Sequence, residues 1–227
     1  MNTHELIDKI LLYTDDTLAT DAGTAVRRAK ILEWAQETGD HFWNYQDFRW
    51  TMATSDITVP ASQGYVALPT NFQKFGPLGT AYNEADYGIP MDEVNPQEIQ
   101  RHQKSSSSHA NPRIFSVFIA DDGVQRFQTM INSSALTISI YYKTTPPILV
   151  DVDHATTSLL QYFPSGYHYS VLLAGCKERA ARQKGDARAA GEWHAIYTQG
   201  LARAVANEQE DNSSSIRRLG RTMAGMH

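Results

Sequence analysis

The chain has 227 residues, 41% of them hydrophobic and 20% charged, with a single cysteine. That length suits one domain or one and a half, with a core large enough to need neither disulfides nor metals. A balance of 20 basic against 25 acidic side chains argues against a generally basic nucleic-acid binder, and one cysteine excludes both an intrachain disulfide and a Cys-rich zinc site.

Thr3-His4-Glu5-Leu6 opens a helix with Leu6, Ile10 and Tyr13 at helical spacing, ending near Thr14-Asp15-Asp16. A second helix starts near Asp21 or Thr24 and runs to about Tyr45, with Ala25, Ala29, Leu32 and Ala35 or Trp34 on its apolar face. Gly39 is a point of interruption, and Phe42, Trp43, Tyr45, Phe48 and Trp50 form an aromatic hinge into the next region. From Thr51 to Lys143 the period falls from 3.6 to 2. Ile57 and Val59 alternate with polar neighbours, and Tyr65-Val66-Ala67-Leu68 follows the turn residues Ser62-Gln63-Gly64. Pro96 to Lys104 reads as a short helix, and Ser105–Ser108 with His109 as a flexible loop tip. Phe115, Val117 and Ile119 lead to Asp121-Asp122-Gly123, a hairpin signal, before Val124 to Ile131. Leu136, Ile138, Ile140 and Tyr142 share one face of a further strand, so Arg113–Lys143 is expected to be a three-stranded antiparallel meander.

After Pro146-Pro147 the pattern returns to helix. Pro164 suits a first turn, and His168, Val171, Leu172, Gly175, Cys176 and Arg179 fall on one face of a helix that stops near Lys184-Gly185. Asp186 caps the next, striped by Trp193, Ile196, Tyr197, Leu201, Ala204 and Val205, so that the pair makes an antiparallel hairpin of roughly 20 residues per arm. Asn212 to His227 carries no strong pattern and is expected to be disordered in isolation. The fold class is therefore α+β: a four-helix bundle from the N- and C-terminal helices (1–48 and 144–208), an inserted antiparallel β region (49–143) and an extended C-terminal tail (209–227).

No apolar run approaches the roughly 20 residues that span a bilayer, and Met1–Glu5 lacks a signal-peptide pattern. These features suit a soluble chain made in a reducing cytoplasm. Catalytic parts are missing. The histidines show no zinc-helix spacing, no Gly-rich phosphate loop or Gly-x-Ser-x-Gly is present, and Glu33 and Glu37 read as a surface pair. Asp151, Asp153 and His154 are metal ligands by type but lack a fourth partner, and read as a solvated loop. His168 and Cys176 lie two turns apart, about 12 Å, too far for a thiol–imidazole hydrogen bond, so the cysteine reads as core. The basic cluster Lys177, Arg179, Arg182, Lys184 and Arg188 reads as a solvated helix end. Residues 1–100 carry 15 acidic and six basic side chains, and residues 101–227 carry ten and 14, a split that reads as a solvated surface, the other reading being contact between the acidic part of one copy and the basic part of another.

Local patterns in a fixed order add to this. Tyr65-Val66-Ala67-Leu68-Pro69-Thr70-Asn71-Phe72, after the aromatic exit Phe42-Trp43 to Trp50, resembles the Tyr-x-Leu-Pro-x-Asp/Asn-Phe segment of the head-to-tail adaptor proteins of tailed bacteriophages. Tyr141-Tyr142 to Pro146-Pro147-Ile148-Leu149 is similar to that family's strand exit, Tyr162-Phe163-Pro164 with Tyr167-His168 to its first C-terminal helix, and Gly185-Asp186 with Trp193 and Tyr197 to its helical hairpin. The resemblance covers residues 3–208; Phe75–Pro112 does not follow the family pattern. It implies a structural virion protein at the capsid vertex that binds the portal protein, meets tail or nozzle proteins, and forms a homo-oligomeric, dodecameric ring. Viral DNA passes through its channel without sequence-specific binding, with no cofactor, metal or membrane. On this reading Trp34, Leu68, Pro69, Phe72, Pro164, Trp193 and Tyr197 serve the core. Ile216 and Leu219, three apart among Arg217, Arg218 and Arg221, are the portal-docking candidates. The alternatives are another neck or tail component and, from a different class, an enzyme built around Asp151, Asp153 and His154.

Overall fold

The computed structural model describes residues 1–14, 22–76, 81–83, 90–105, 113–151 and 162–223, with side chains as far as Glu210. The chain divides into two compact units: a helical one, Met1–Trp50 with Pro146 onward, and a β-rich one, Thr51–Thr145.

In the helical unit, α1 (Thr3–Tyr13) is capped one residue earlier than its sequence suggests. Asn2 Oδ1 accepts the Glu5 N–H at 2.7 Å and Glu5 returns a bond to the Asn2 N–H at 3.1 Å, a complete capping box. Leu6, Ile7, Ile10 and Leu11 are fully buried. α2 (Ala22–Tyr45) runs uninterrupted through Gly39, where a Cβ would stand 3.2 Å from the Phe163 ring; this glycine admits an aromatic side chain instead of ending a helix. Its buried face is Ile31, Trp34, Ala35, Thr38, Phe42 and Trp43, while Ala25 and Ala29 are exposed. The apolar stripe is thus rotated from the one alanine spacing implies, because bulky side chains and not alanines gain most from burial. The expected aromatic hinge is part of the core: Phe42, Phe48, Trp50 and Phe163 have ring centroids 5.2–6.0 Å apart.

The expected four-helix bundle is not formed. The first C-terminal helix opens as a π-helix (His168–Leu173) that continues into α4 (Ala174–Gln183), and α5 (Ala187–Met223) is 37 residues long against 11 for α1. This π/α4 rod is the hub on which α1, α2 and α5 pack, and α1 and α2 reach α5 through side chains such as Tyr13–Trp193 and His41–Tyr197. The packing is thus centred on one rod and does not form four mutually adjacent helices. α5 also overrules the extended tail: its backbone stays helical past residue 208 to Met223.

The β unit holds eight strands and one helix among the described residues: β1 (Met52–Val59), β2 (Tyr65–Ala67), β3 (Phe72–Phe75), β4 (Ala81–Asn83), β5 (Asp92–Glu93), α3 (Pro96–Ser105), β6 (Ile114–Ile119), β7 (Gln125–Thr129) and β8 (Leu136–Thr144). Asp122-Gly123 closes the β6–β7 hairpin, with Gly123 at φ 77° and Asp122 accepting the Val124 N–H. β8 does not extend that hairpin into a meander. It pairs with β1 from Met52↔Lys143 to Val59↔Leu136 on one edge and with β3 and β4 on the other. The second sheet is β2-β7-β6-β5, its β5–β6 pair parallel. Period-2 alternation decides which face of a strand is buried but not which strand lies beside it. Ile57, Val59, Leu136, Ile138, Ile140 and Tyr142 from one sheet and Phe115 and Phe127 from the other form one core. The Ser106–Ser108 loop with His109 lies outside the described residues.

Candidate assembly surfaces

The sequence-predicted core residues fall in both units. In the β unit Leu68 and Phe72 are buried and Pro69 half-buried. The Phe72 N–H bonds the Pro69 carbonyl at 2.9 Å, a tight turn that brings Phe72 to 5.5 Å from Tyr142, while Tyr142 donates to Asn71. In the helical unit Trp34 is buried, and Pro164, Trp193 and Tyr197 are half-buried. Trp193 Nε1 donates to the Tyr13 hydroxyl at 3.0 Å, and Lys177 Nζ sits 4.3 Å from the indole centroid. Burial depresses the Lys177 ammonium.

His168 is buried, with Nε2 2.8 Å from the Phe163 carbonyl oxygen. Cys176 is wholly buried, and desolvation pushes its thiol up to about 12, far from the thiolate that nucleophilic chemistry requires. A cleft of about 470 Å³ between α2, α4 and α5 collects more polar groups. There Glu178, nearly buried, accepts from Arg182 at 2.6 Å and lies 3.2 Å from His194 Nδ1, while Arg179 pairs with Glu37. The Tyr197 hydroxyl stands 2.5 Å from His41 Nδ1, and burial pushes its phenol up to about 12, so it is a neutral donor and not a base. The cleft's acids and bases are thus consumed in pairs.

Asp151 is not in a solvated loop. Its carboxylate accepts Arg28 Nε at 2.7 Å and Arg28 Nη2 at 2.9 Å, and His4 Nδ1 lies 2.8 Å away. Arg28 also reaches Asp8 at 2.6 Å, so four side chains tie α1 and α2 to the segment after β8. The guanidinium holds the Asp151 carboxyl below the usual carboxylate range, and the two carboxylates raise Arg28. Asp153 and His154 lie outside the described residues, and among the described residues no group of three metal-ligating side chains is placed to hold an ion. Sequence reasoning missed the Arg28–Asp151 pair because its members stand 123 positions apart and no local motif links them.

Two apolar surfaces flank α2. One is a groove of about 480 Å³ beside the end of α4, lined by Val26, Ile31, Trp34 and Ala180 with Arg27, Lys30 and Lys184 at its rim. The other is the extended strap Pro146–Asp151, clipped to α2 by Gln36, whose Nε2 donates to the Pro147 carbonyl at 3.0 Å and whose Oε1 accepts the Leu149 N–H at 2.7 Å. At the far end of the unit, Glu208 is the last buried described side chain of α5 and takes the Arg49 N–H. Ile216, Arg217, Arg218, Leu219 and Arg221 stand on the helical backbone beyond it, their side chains outside the description. No described helix is long and apolar enough to cross a membrane.

Residues 1–220 match the family model described as SU10 adaptor protein. None of the curated proteins matches the chain.

Proposed function

The chain belongs to the SU10 adaptor protein family, a structural family of phage head-tail adaptors, and from that premise we propose that it sits at the capsid vertex, docks on the portal ring through the C-terminal end of α5, and prolongs the DNA channel toward the tail as a dodecameric ring. The observation that carries the docking site is the course of α5. Past Glu208 the helix runs to Met223, about 22 Å at 1.5 Å per residue. Ile216 and Leu219 stand three positions apart on it, two apolar anchors among Arg217, Arg218 and Arg221. Arginine forks suit carboxylates bidentately, so an acidic cleft between portal subunits is the matching surface. The acidic residues 1–100 and the basic remainder favour head-to-tail contact between copies, and a net charge of −5 does not favour general adhesion to DNA.

Deletion of residues 212–227 tests the docking site. The shortened chain retains every described buried side chain; it is expected to keep its melting temperature and to lose co-sedimentation with portal rings. Binding at full affinity would move the docking surface elsewhere.

A further inference from the structure

We propose that copies of this chain join head to tail by seating the Ile148–Val150 strap of one copy in the groove at Val26, Ile31 and Trp34 of the next. The inference rests on the ring reading above and adds the surfaces that meet. Ile148 is 83% exposed and Val150 52%, while Leu149 between them is buried at 5%. Alternation along an extended segment thus turns two branched aliphatic side chains outward together. They are held, not loose: Gln36 bonds the backbone on both sides of Ile148, and the Arg28 fork fixes Asp151 just after Val150. A fixed apolar pair facing water differs from the singly scattered hydrophobics of an ordinary surface.

The groove is the complementary shape. Val26 at its rim is 71% exposed, and below it Ile31 and Trp34, 3% and 9% exposed, close the floor as part of the core, so Val26 is the apolar side chain that a second copy would cover. Gln36 and Arg28, which hold the strap, and Lys30 and Trp34, which line the groove, fall on roughly opposite sides of α2 at about 100° per residue. Knob and groove on opposite sides of one helix cannot fill each other within a copy. A contact that joins them is heterologous, the class that propagates and closes into rings. Charge agrees with the pairing in sign. Arg27 and Lys184 edge the groove, the nearby Lys30 being paired with Glu33 at 2.7 Å and Lys184 also donating to the Thr14 carbonyl at 2.6 Å, and the Asp40 carboxylate lies beside the strap, 2.7 Å from the same Gln36 Nε2 that holds Pro147.

The test is cross-linking with a short bismaleimide of the full-length Val26→Cys, Ile148→Cys double variant, alone and on portal rings; Cys176 is fully buried and contributes no background. The double variant is expected to give a ladder of multimers, and either single variant only monomer. The absence of a ladder in both settings, or a cross-linked dimer from a single variant, overturns the inference. A second pair covers the chance that cysteines disturb the contact: Ile148→Asp and Val26→Asp should each abolish association alone, and their mixture should stop at a dimer, since one copy keeps its groove and the other its strap. Higher multimers from either aspartate variant would also overturn it. Portal co-sedimentation without a ladder removes this contact and leaves portal docking intact; a ladder from a chain that ignores the portal does the reverse.

Discussion

Gly191→Ala and Gly200→Ala make the same exchange in the same helix, and the structure gives them opposite consequences. A Cβ at Gly200 would stand 2.5 Å from the Ser170 carbonyl oxygen and 2.9 Å from Val171 Cγ2, where α5 crosses the π-helix; a Cβ at Gly191 meets nothing within 4 Å. Both substitutions gain about 1 kcal/mol of helix propensity, because alanine loses less backbone freedom than glycine on ordering. At Gly191 that gain stands alone. At Gly200 the backbone of one helix must move, and overpacking of this kind costs about 1–3 kcal/mol. Gly191→Ala should therefore stabilise by about 1 kcal/mol, and Gly200→Ala should range from neutral to about 2 kcal/mol destabilising. Scanning calorimetry resolves that gap, at roughly 2–4 °C per kcal/mol for a chain of this size. Equal upward shifts in the two variants would mean that α5 does not approach Ser170 this closely, and with it the hub arrangement of the helical unit would fall.

Asp151→Asn tests the ionic cluster through pH. The folded Asp151 carboxyl lies below its unfolded value of about 3.9, so its contribution is complete above roughly pH 4 and is lost as pH falls through the folded value. The variant should be less stable than the native chain in denaturant at pH 7 and equal to it in strong acid; a difference that persists unchanged into strong acid would contradict the pairing with Arg28. Cys176, buried and with its thiol pushed up to about 12, should resist a thiol reagent in the folded chain and label fully once denatured. Rapid labelling under native conditions would place it outside the core.

Much of the fold is written locally. The Asp-Gly hairpin, the alternation of β8, α3 and the span of α2 all follow from turn chemistry or from periodicity within a few residues. Two of the misreadings share a physical cause: each depends on a partner distant in the chain. Gly39 looks like a helix breaker until Phe163, 124 positions later, supplies the ring that needs its missing Cβ. β8 looks like the third strand of a meander until β1, whose alternating Ile57 and Val59 match Ile138 and Leu136 in register, takes it into the other sheet. The polar run after Glu208 looks like a tail because no apolar stripe marks it, yet the preceding turns of α5 have already met the nucleation cost and the backbone continues as a helix.

The same reasoning explains why the assembly surfaces were harder to see than the core. A core residue declares itself by recurrence, since one element must bury a whole face. A surface that meets another copy has only to be complementary, and its parts come from segments with no common period. In the sequence Ile148 belongs to a strand exit that ends at Leu149, and Val26 lies off the stripe of Ala25, Ala29 and Leu32. Only the fold sets the strap against α2 through Gln36 and, among the described residues, leaves the groove on the other side. On the proposed reading the ring contact and the portal contact fall on different elements, the flanks of α2 and the end of α5, so a mutation at either is expected to abolish one contact and spare the other.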